Sequence, residues 1–170
     1  MSAHVWSVVL AVLMLNGKSL CFPSGAPSIT CGIYMPHHGA APQPPSSNPY
    51  AVVASSRRYN IEENGGQIEV NVTSLSGKEE FKGFVVAAYD EDQQPFGYFL
   101  PSHHAHQIPH CDKQNNAHSK KLVTLFWRPP TEGAPTTGAV IFKATVVRSY
   151  HHFWVNIIST NRADIALSST

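Results

Sequence analysis

The chain has 170 residues, of which 12 are lysine or arginine, 11 are aspartate or glutamate and 10 are histidine. This near-neutral balance provides no basic face of the kind that nucleic acid requires, so we expect no nucleic-acid partner. The length corresponds to one ordinary domain with a hydrophobic core of its own.

The first element is an apolar segment from Val5 to Leu15, which is too short for a membrane-spanning helix of about 20 residues. It is typical of a secretory signal peptide, and Ser19 and Cys21 are small residues at the positions that signal peptidase recognises. We therefore expect a signal peptide at residues 1–21 and a secreted, extracellular domain at residues 22–170 without a membrane span. The alternative is slightly earlier cleavage, which would leave Cys21 as a free or intermolecular thiol.

Cleavage after Cys21 leaves Cys31 and Cys111 as the cysteines of the mature chain. In an oxidising compartment we expect these two thiols to pair. The bond would close a ring of about 80 residues, which the chain-entropy model values at roughly 4 kcal/mol of stability. Two unrelated buried thiols would be the alternative in a cytosolic protein.

Residues 22–49 are rich in proline and glycine. Proline fixes φ and removes a backbone donor, so neither a long helix nor a central strand is expected there. We expect this segment to lie extended over the rest of the domain.

Seven segments then carry β-branched and aromatic residues separated by turn residues. Their ranges are 50–56, 67–75, 81–90, 96–100, 121–127, 139–149 and 152–159. In the second of them Ile68, Val70 and Val72 alternate with polar residues, which is typical of a strand with one buried face. Without a helical period anywhere, the pattern predicts an all-β domain, an antiparallel β-sandwich.

Several motifs along this chain resemble the reeler (reelin-type) domain family, in the same order and spacing. They are SGAPSITC, MPHHGAAPQ, FKGFVVAA, LFWRPP, VIFKATVV and FWVNIIS. The similarity covers the whole predicted mature chain, and it is strongest to the single-domain insect defence proteins of the family.

The resemblance implies an immunoglobulin-like β-sandwich, secretion, and a role in innate immunity through binding of microbial surface glycolipids or glycans. Antimicrobial activity, nodule formation and contact with haemocyte surfaces are further expectations from the family. The family's cysteines match Cys31 and Cys111. Its membrane ferric reductases carry a reeler domain ahead of haem-binding helices, and since this sequence shows no such helices we expect neither that activity nor a cofactor.

Asn71, Val72 and Thr73 form an N-glycosylation sequon. The strand alternation places Asn71 on the outward face, where a glycan can be accommodated. We therefore predict glycosylation at Asn71.

Histidine is concentrated between residues 103 and 110. In an extended chain His104 and His106 point the same way, a spacing that can bind Zn²⁺ or Cu²⁺, with His103, His37 or His38 as a further ligand. The default interpretation is a polar, solvated loop without metal, which gains positive charge as the pH falls below about 6.5. An extracellular metal- or haem-handling protein using this segment is the alternative function, and a matrix-adhesion module is another.

Other chemistry is scarce in the sequence. It contains no GxSxG, no phosphate-binding GxxxxGK[ST] and no paired acid motif, so we expect no enzymatic activity. Basic residues at Arg57–Arg58, Lys78 and Lys120–Lys121 are interpreted as isolated, solvated positions that protect sheet edges, and the alternative is that they contact phosphate groups of bacterial glycolipid. Trp127 and Trp154 are expected to pack in the core.

Overall fold

The computed structural model describes residues 35–36, 39–103, 105–108, 111–114 and 118–162. The chain forms an all-β sandwich, and a bilayer-spanning helix is not found among these residues. Within this described part of the chain, 3₁₀ turns lie at Pro45–Ser47 and Asn64–Gly66. The strands are β1 (Tyr50–Ala54), β2 (Arg58–Asn60), β3 (Ile68–Ser74), β4 (Gly83–Tyr89), β5 (Tyr98–Phe99), β6 (Ala105–Ile108), β7 (Cys111–Gln114), β8 (Leu122–Arg128), β9 (Thr137–Ala139), β10 (Ile141–Ser149), β11 (His152–Ile158) and β12 (Thr160–Asn161).

The first sheet has the strand order β12-β1-β3-β8-β5. On β3 the side chains of Ile68, Val70 and Val72 are buried, whereas the alternate side chains are partly exposed, as the sequence predicts. The pairing is antiparallel except between β1 and β12, which is parallel. The predicted β-sandwich is confirmed, and only this edge departs from its antiparallel pairing, because the chain passes from β11 in the second sheet directly to β12 in the first without a hairpin turn.

The second sheet has the order β11-β10-β4-β7-β6. Every residue of β4 is buried, so this strand lacks the alternation of a strand with one solvent face. Phe84, Val86 and Ala88 join the main core, whereas Val85 and Ala87 belong to a second, smaller apolar cluster on the opposite face. The sheet is therefore covered on both faces at its centre.

Aromatic side chains connect the two sheets through the core. The ring of Trp127 on β8 lies 5.7 Å from the ring of Phe142 on β10, and Tyr50 on β1 lies 5.4 Å from Trp154 on β11. Trp127 is completely buried, and its Nε1–H donates to the carbonyl oxygen of Phe96 at 3.1 Å. The predicted packing role of both tryptophans is confirmed.

The described part of the proline-rich segment runs along β11. The backbone nitrogen of Gln43 donates to the carbonyl oxygen of Phe153 at 2.9 Å, and Nε1 of Trp154 donates to Oγ of Ser47 at 3.1 Å. These contacts agree with the prediction of an extended segment lying over the domain. The predicted signal peptide and Cys31 lie outside the described residues.

The segment around the histidines differs from its prediction. The expectation of a polar loop is wrong for residues 105–108 and 111–114, which are the paired strands β6 and β7. β7 also pairs with β4, placing Cys111 opposite Ala87. The backbone of β4 thus supplies hydrogen-bond partners for β7. The sequences of β6 and β7 are poor in β-branched residues and do not predict strands by themselves.

Candidate functional site

A surface cavity of about 500 Å³ opens at the end of the sandwich where β3 ends and β4 begins. Chain segments before β8 and at the end of β10 complete its wall. The lining residues are Lys78, Glu79, Glu80, Lys82, Ser119 and Arg148. Among the lining residues that the structure describes, three side chains are cationic and two are carboxylates, so we call this feature the basic cavity.

The backbone of one wall is fixed by a bridge between Phe81 and Lys120. The nitrogen of Phe81 donates to the oxygen of Lys120 at 2.8 Å, and the reverse bond measures 2.9 Å. The ring of Phe81 is buried and meets the ring of Tyr50 edge-on at 5.6 Å. Because alternate side chains of an extended chain point to opposite sides, the buried Phe81 directs Glu80 and Lys82 outward.

A second backbone bond brings the cations together. The nitrogen of Lys82 donates to the oxygen of Val147 at 2.9 Å, so Lys82 lies beside Arg148, the next residue of β10. Both side chains are exposed. The register of β4 against β10 therefore places two cations side by side although they are distant in the sequence.

Tyr50 supports the floor behind the cavity. Its hydroxyl donates to the carbonyl oxygen of Glu80 at 2.8 Å, and the residue is almost fully buried. Burial raises the pKa of Tyr50 above its ordinary value, although the charge of Arg148 opposes part of this effect. The phenol is thus a neutral donor that holds the β3–β4 connection in place.

Glu79 is held by two serine hydroxyls in the same connection. Its carboxylate accepts hydrogen bonds from Ser76 and from Ser74, the latter at 2.7 Å. These bonds, from Ser76 first and then from Ser74, lower the pKa of Glu79 to about 2. The rim of the cavity therefore keeps a negative charge at every physiological pH.

Lys120 lies next to the cavity, and its side chain is hydrogen-bonded to backbone carbonyl groups. Its Nζ donates to the carbonyl oxygen of His118 at 2.6 Å and to that of Lys82 at 3.2 Å. Partial burial lowers the pKa of Lys120. Its ammonium joins the two segments that form the wall, and the exposed cations of the cavity are Lys78, Lys82 and Arg148.

This set of groups is suited to holding an anion. Arginine presents a planar fork of donors that matches the oxygens of a phosphate, and lysine adds a compact point charge. The hydroxyl of Ser119 can donate a further hydrogen bond. The two carboxylates restrict the site to ligands whose negative charge lies near the cations and away from the glutamates.

The expectation that Lys78 is an isolated basic position is therefore wrong, because the fold places it with Lys82 and Arg148 around one cavity. Sequence analysis missed Lys82 and Arg148 altogether. The signal that could have revealed them is the register of the two predicted strands that became β4 and β10, since Gly83 lies opposite Val147. A single sequence does not determine that register.

Asn71 lies on the outer face of β3, as predicted, and is partly exposed. Its Nδ2 donates to Oε1 of Glu69 at 2.8 Å, and its Oδ1 accepts a hydrogen bond from Oγ1 of Thr124 at 2.6 Å. Glu69 also pairs with Arg162, and the hydrogen bonds from Arg162 and Asn71 lower the pKa of Glu69. The side chain of Asn71 is thus held by partners on two strands, and its glycosylation stays a prediction.

Cys111 is buried at the start of β7 and is disulfide-bonded. Its predicted partner, Cys31, lies outside the described residues, so the pairing of these two cysteines stays a prediction.

The histidine residues proposed as metal ligands are only partly covered by the structure. His103 lies at the turn before β6 and His106 lies within β6 opposite Lys113, whereas His104, His37 and His38 lie outside the described residues. Among the side chains that the structure describes, no three histidine, cysteine, aspartate or glutamate residues gather as metal ligands. The metal site therefore remains an untested prediction.

Comparison with known proteins identifies the family. The family model described as "Reeler domain" matches residues 29–166. "Putative defense protein 3" of Antheraea mylitta is 30% identical over 161 residues, which cover 91% of this chain and 94% of that protein. "Ferric-chelate reductase 1" of Bos taurus is 34% identical over 169 residues, which cover 92% of this chain but 27% of that protein. This chain thus spans about a quarter of the ferric-chelate reductases that it matches.

The crystal structure of the human F-spondin reeler domain (fragment 2) has a similar fold. It superimposes with a TM-score of 0.52 and 15% sequence identity over 77% of this chain and 94% of that chain. The motifs, the architecture and the family-model match agree, and they confirm the resemblance seen in the sequence. The chain belongs to the reeler domain family.

Proposed function

We propose that this chain is a secreted, extracellular defence protein that binds phosphate-bearing glycolipids or glycans of microbial surfaces through the basic cavity. The defence role is supported by relatives named as defence proteins, which this chain matches over most of their length. The binding mode is supported by the chemistry of the cavity. Ligand recognition, and not catalysis, is the activity that we assign to it.

The observation that carries the proposal is the convergence of Lys78, Lys82 and Arg148 on one concave surface. Lys78 and Lys82 come from the β3–β4 connection, whereas Arg148 comes from the end of β10. The Phe81–Lys120 bridge and the Lys82–Val147 hydrogen bond fix these segments relative to each other. An anionic group would therefore meet cations on a preformed backbone, which reduces the ordering cost of binding.

Each contact at such an exposed site is weak, because water and salt screen the charges. A microbial surface presents many phosphate groups close together, so a chain released from one phosphate meets the next at a high local concentration. Binding should weaken as the ionic strength rises, since the attraction between the cations and phosphate is electrostatic. This salt dependence distinguishes the proposed mechanism from apolar adhesion.

Ferric reduction is not part of the proposal. The relatives named for that activity are about four times longer than the segment they share with this chain. The metal-handling alternative depends on His104 and on His37 or His38. The metal content of the purified protein, measured after dialysis against micromolar zinc or copper, tests that alternative separately.

Pull-down of the mature protein on whole bacteria tests the proposal, with the variants Arg148→Glu and Arg58→Glu compared. Both replacements change the charge equally at an exposed arginine, but Arg58 lies on β2 in a separate two-stranded sheet. We expect Arg148→Glu to reduce binding by about tenfold, equivalent to about 1.4 kcal/mol, and Arg58→Glu to leave it nearly unchanged. Equal losses in both variants would show that the net charge of the protein matters and the cavity does not.

A further inference from the structure

The outer face of the first sheet carries two exposed apolar side chains on β8. Leu122 is 56% exposed and Phe126 is 38% exposed, and both point away from the core because the residues next to them, Val123 and Leu125, are buried. We call Leu122 and Phe126 the apolar strip. Exposed apolar side chains that share a face often mark a covered surface.

Asn71 lies beside the middle of this strip. In the register of β3 and β8 it is opposite Thr124, while Thr73 is opposite Leu122 and Glu69 is opposite Phe126. Directly opposite side chains have Cβ atoms about 5 Å apart and diagonal ones about 7–8 Å apart. The amide of Asn71 is therefore within the reach of one sugar ring from both members of the strip.

The hydrogen bonds of Asn71 are compatible with a glycan. Oδ1 accepts from Thr124, and Nδ2 needs one of its two hydrogens for Glu69. In N-glycosylation Nδ2 attacks C1 of a lipid-linked oligosaccharide, the lipid pyrophosphate leaves, and one amide hydrogen is lost as a proton. The second hydrogen remains, so the attached amide can keep both partners.

We propose that the first sugar of a glycan on Asn71 packs over the apolar strip of β8. The amide held between Glu69 and Thr124 directs the sugar along the sheet surface. The C–H face of a pyranose then covers the ring of Phe126 and the side chain of Leu122, which removes apolar area from water. The proposal rests on the secretory part of the proposed function, because sequons are modified during export.

The stability of four variants tests the packing. Thr73→Ser keeps the sequon and Thr73→Ala removes it without altering Asn71, and each is made with Phe126 or with Phe126→Ala. The proteins are exported from a eukaryotic host behind that host's own signal peptide, and endoglycosidase trimming leaves one sugar. With Phe126 present we expect the glycosylated form to melt about 2–4 °C higher, corresponding to about 1 kcal/mol. With Phe126→Ala we expect most of that difference to vanish.

The same four variants made in an oxidising bacterial host, which attaches no glycan, form the matched control. There the effects of position 73 and position 126 should add, because the sugar that couples them is absent. Nuclear Overhauser contacts between the ring protons of Phe126 and the first sugar give an independent readout that does not depend on stability.

Two results would overturn the inference. Intact mass of the exported protein with Thr73 unchanged, if it shows no sugar, would establish that Asn71 is not modified. A sugar whose presence raises the melting temperature equally with and without Phe126, and which shows no contact with that ring, would show that the glycan extends into solvent. Neither result bears on the basic cavity, since export is ensured by the host signal and bacterial binding is measured separately.

Discussion

Replacing Gly97 with alanine tests how the centre of the core is packed. Gly97 has a φ of +70°, and an added Cβ would lie 2.3 Å from the ring of Trp127 and 2.4 Å from the carbonyl oxygen of Arg128. Neither neighbour can move easily. The side chain of Trp127 is buried and hydrogen-bonded to the carbonyl oxygen of Phe96, and the backbone of Arg128 is held by the strand pairing of β8 with β5. The left-handed backbone costs alanine about 1 kcal/mol, and overpacking adds about 2 kcal/mol.

Gly133 provides the matched control. Its φ is +73°, but nothing lies within 4 Å of an added Cβ, so Gly133→Ala should cost about 1 kcal/mol from the backbone alone. Urea unfolding followed by tryptophan fluorescence measures both variants. We expect Gly97→Ala to lose about 3 kcal/mol in total, and equal losses at the two glycines would refute the described contact between Gly97 and Trp127.

Three further predictions concern two residues that support the site and the disulfide of Cys111. Tyr50→Phe removes the hydroxyl that donates to Glu80 and should lower the free energy of unfolding by about 1 kcal/mol in urea titrations; an unchanged midpoint would contradict this bond. Glu79 has its pKa lowered from 4.5 to about 2, so its stabilising bonds are complete above pH 4.5 and are lost as the pH falls through 2. Glu79→Gln should therefore flatten the acid dependence of the unfolding midpoint in this window, and an unaltered profile would count against it. Alkylation of the denatured, unreduced protein should label neither Cys31 nor Cys111, whereas labelling of both would refute their pairing.

The strands that could be predicted from the sequence are those with their own hydrophobic pattern. β3 alternates between apolar and polar residues, and β10 is rich in β-branched residues. Each strand can therefore be predicted from its own sequence without knowledge of its pairing partner. β6 and β7 could not be found this way, because what makes them strands is their pairing, β7 with β4 and β6 with β7. Short pairs such as β2 with β9 depend in the same way on contacts far along the chain.

The basic cavity was hidden from sequence analysis for a similar reason. Lys82 and Arg148 are each an ordinary surface cation, and only the antiparallel register of β4 and β10 brings them together. The orientation of Asn71, in contrast, follows from strand alternation alone and could be predicted. Alternation determines which face a side chain occupies, whereas register determines which side chains meet.

Titration of the mature protein with lipid A, with and without its phosphate groups, tests the proposed role of the basic cavity most directly. The account predicts that the phosphorylated lipid binds, that binding weakens as salt is added, and that removing the phosphates or introducing Lys82→Ala with Arg148→Ala reduces affinity by at least about tenfold. Equal affinity for the phosphorylated and dephosphorylated lipids, unchanged in the double variant, would contradict it.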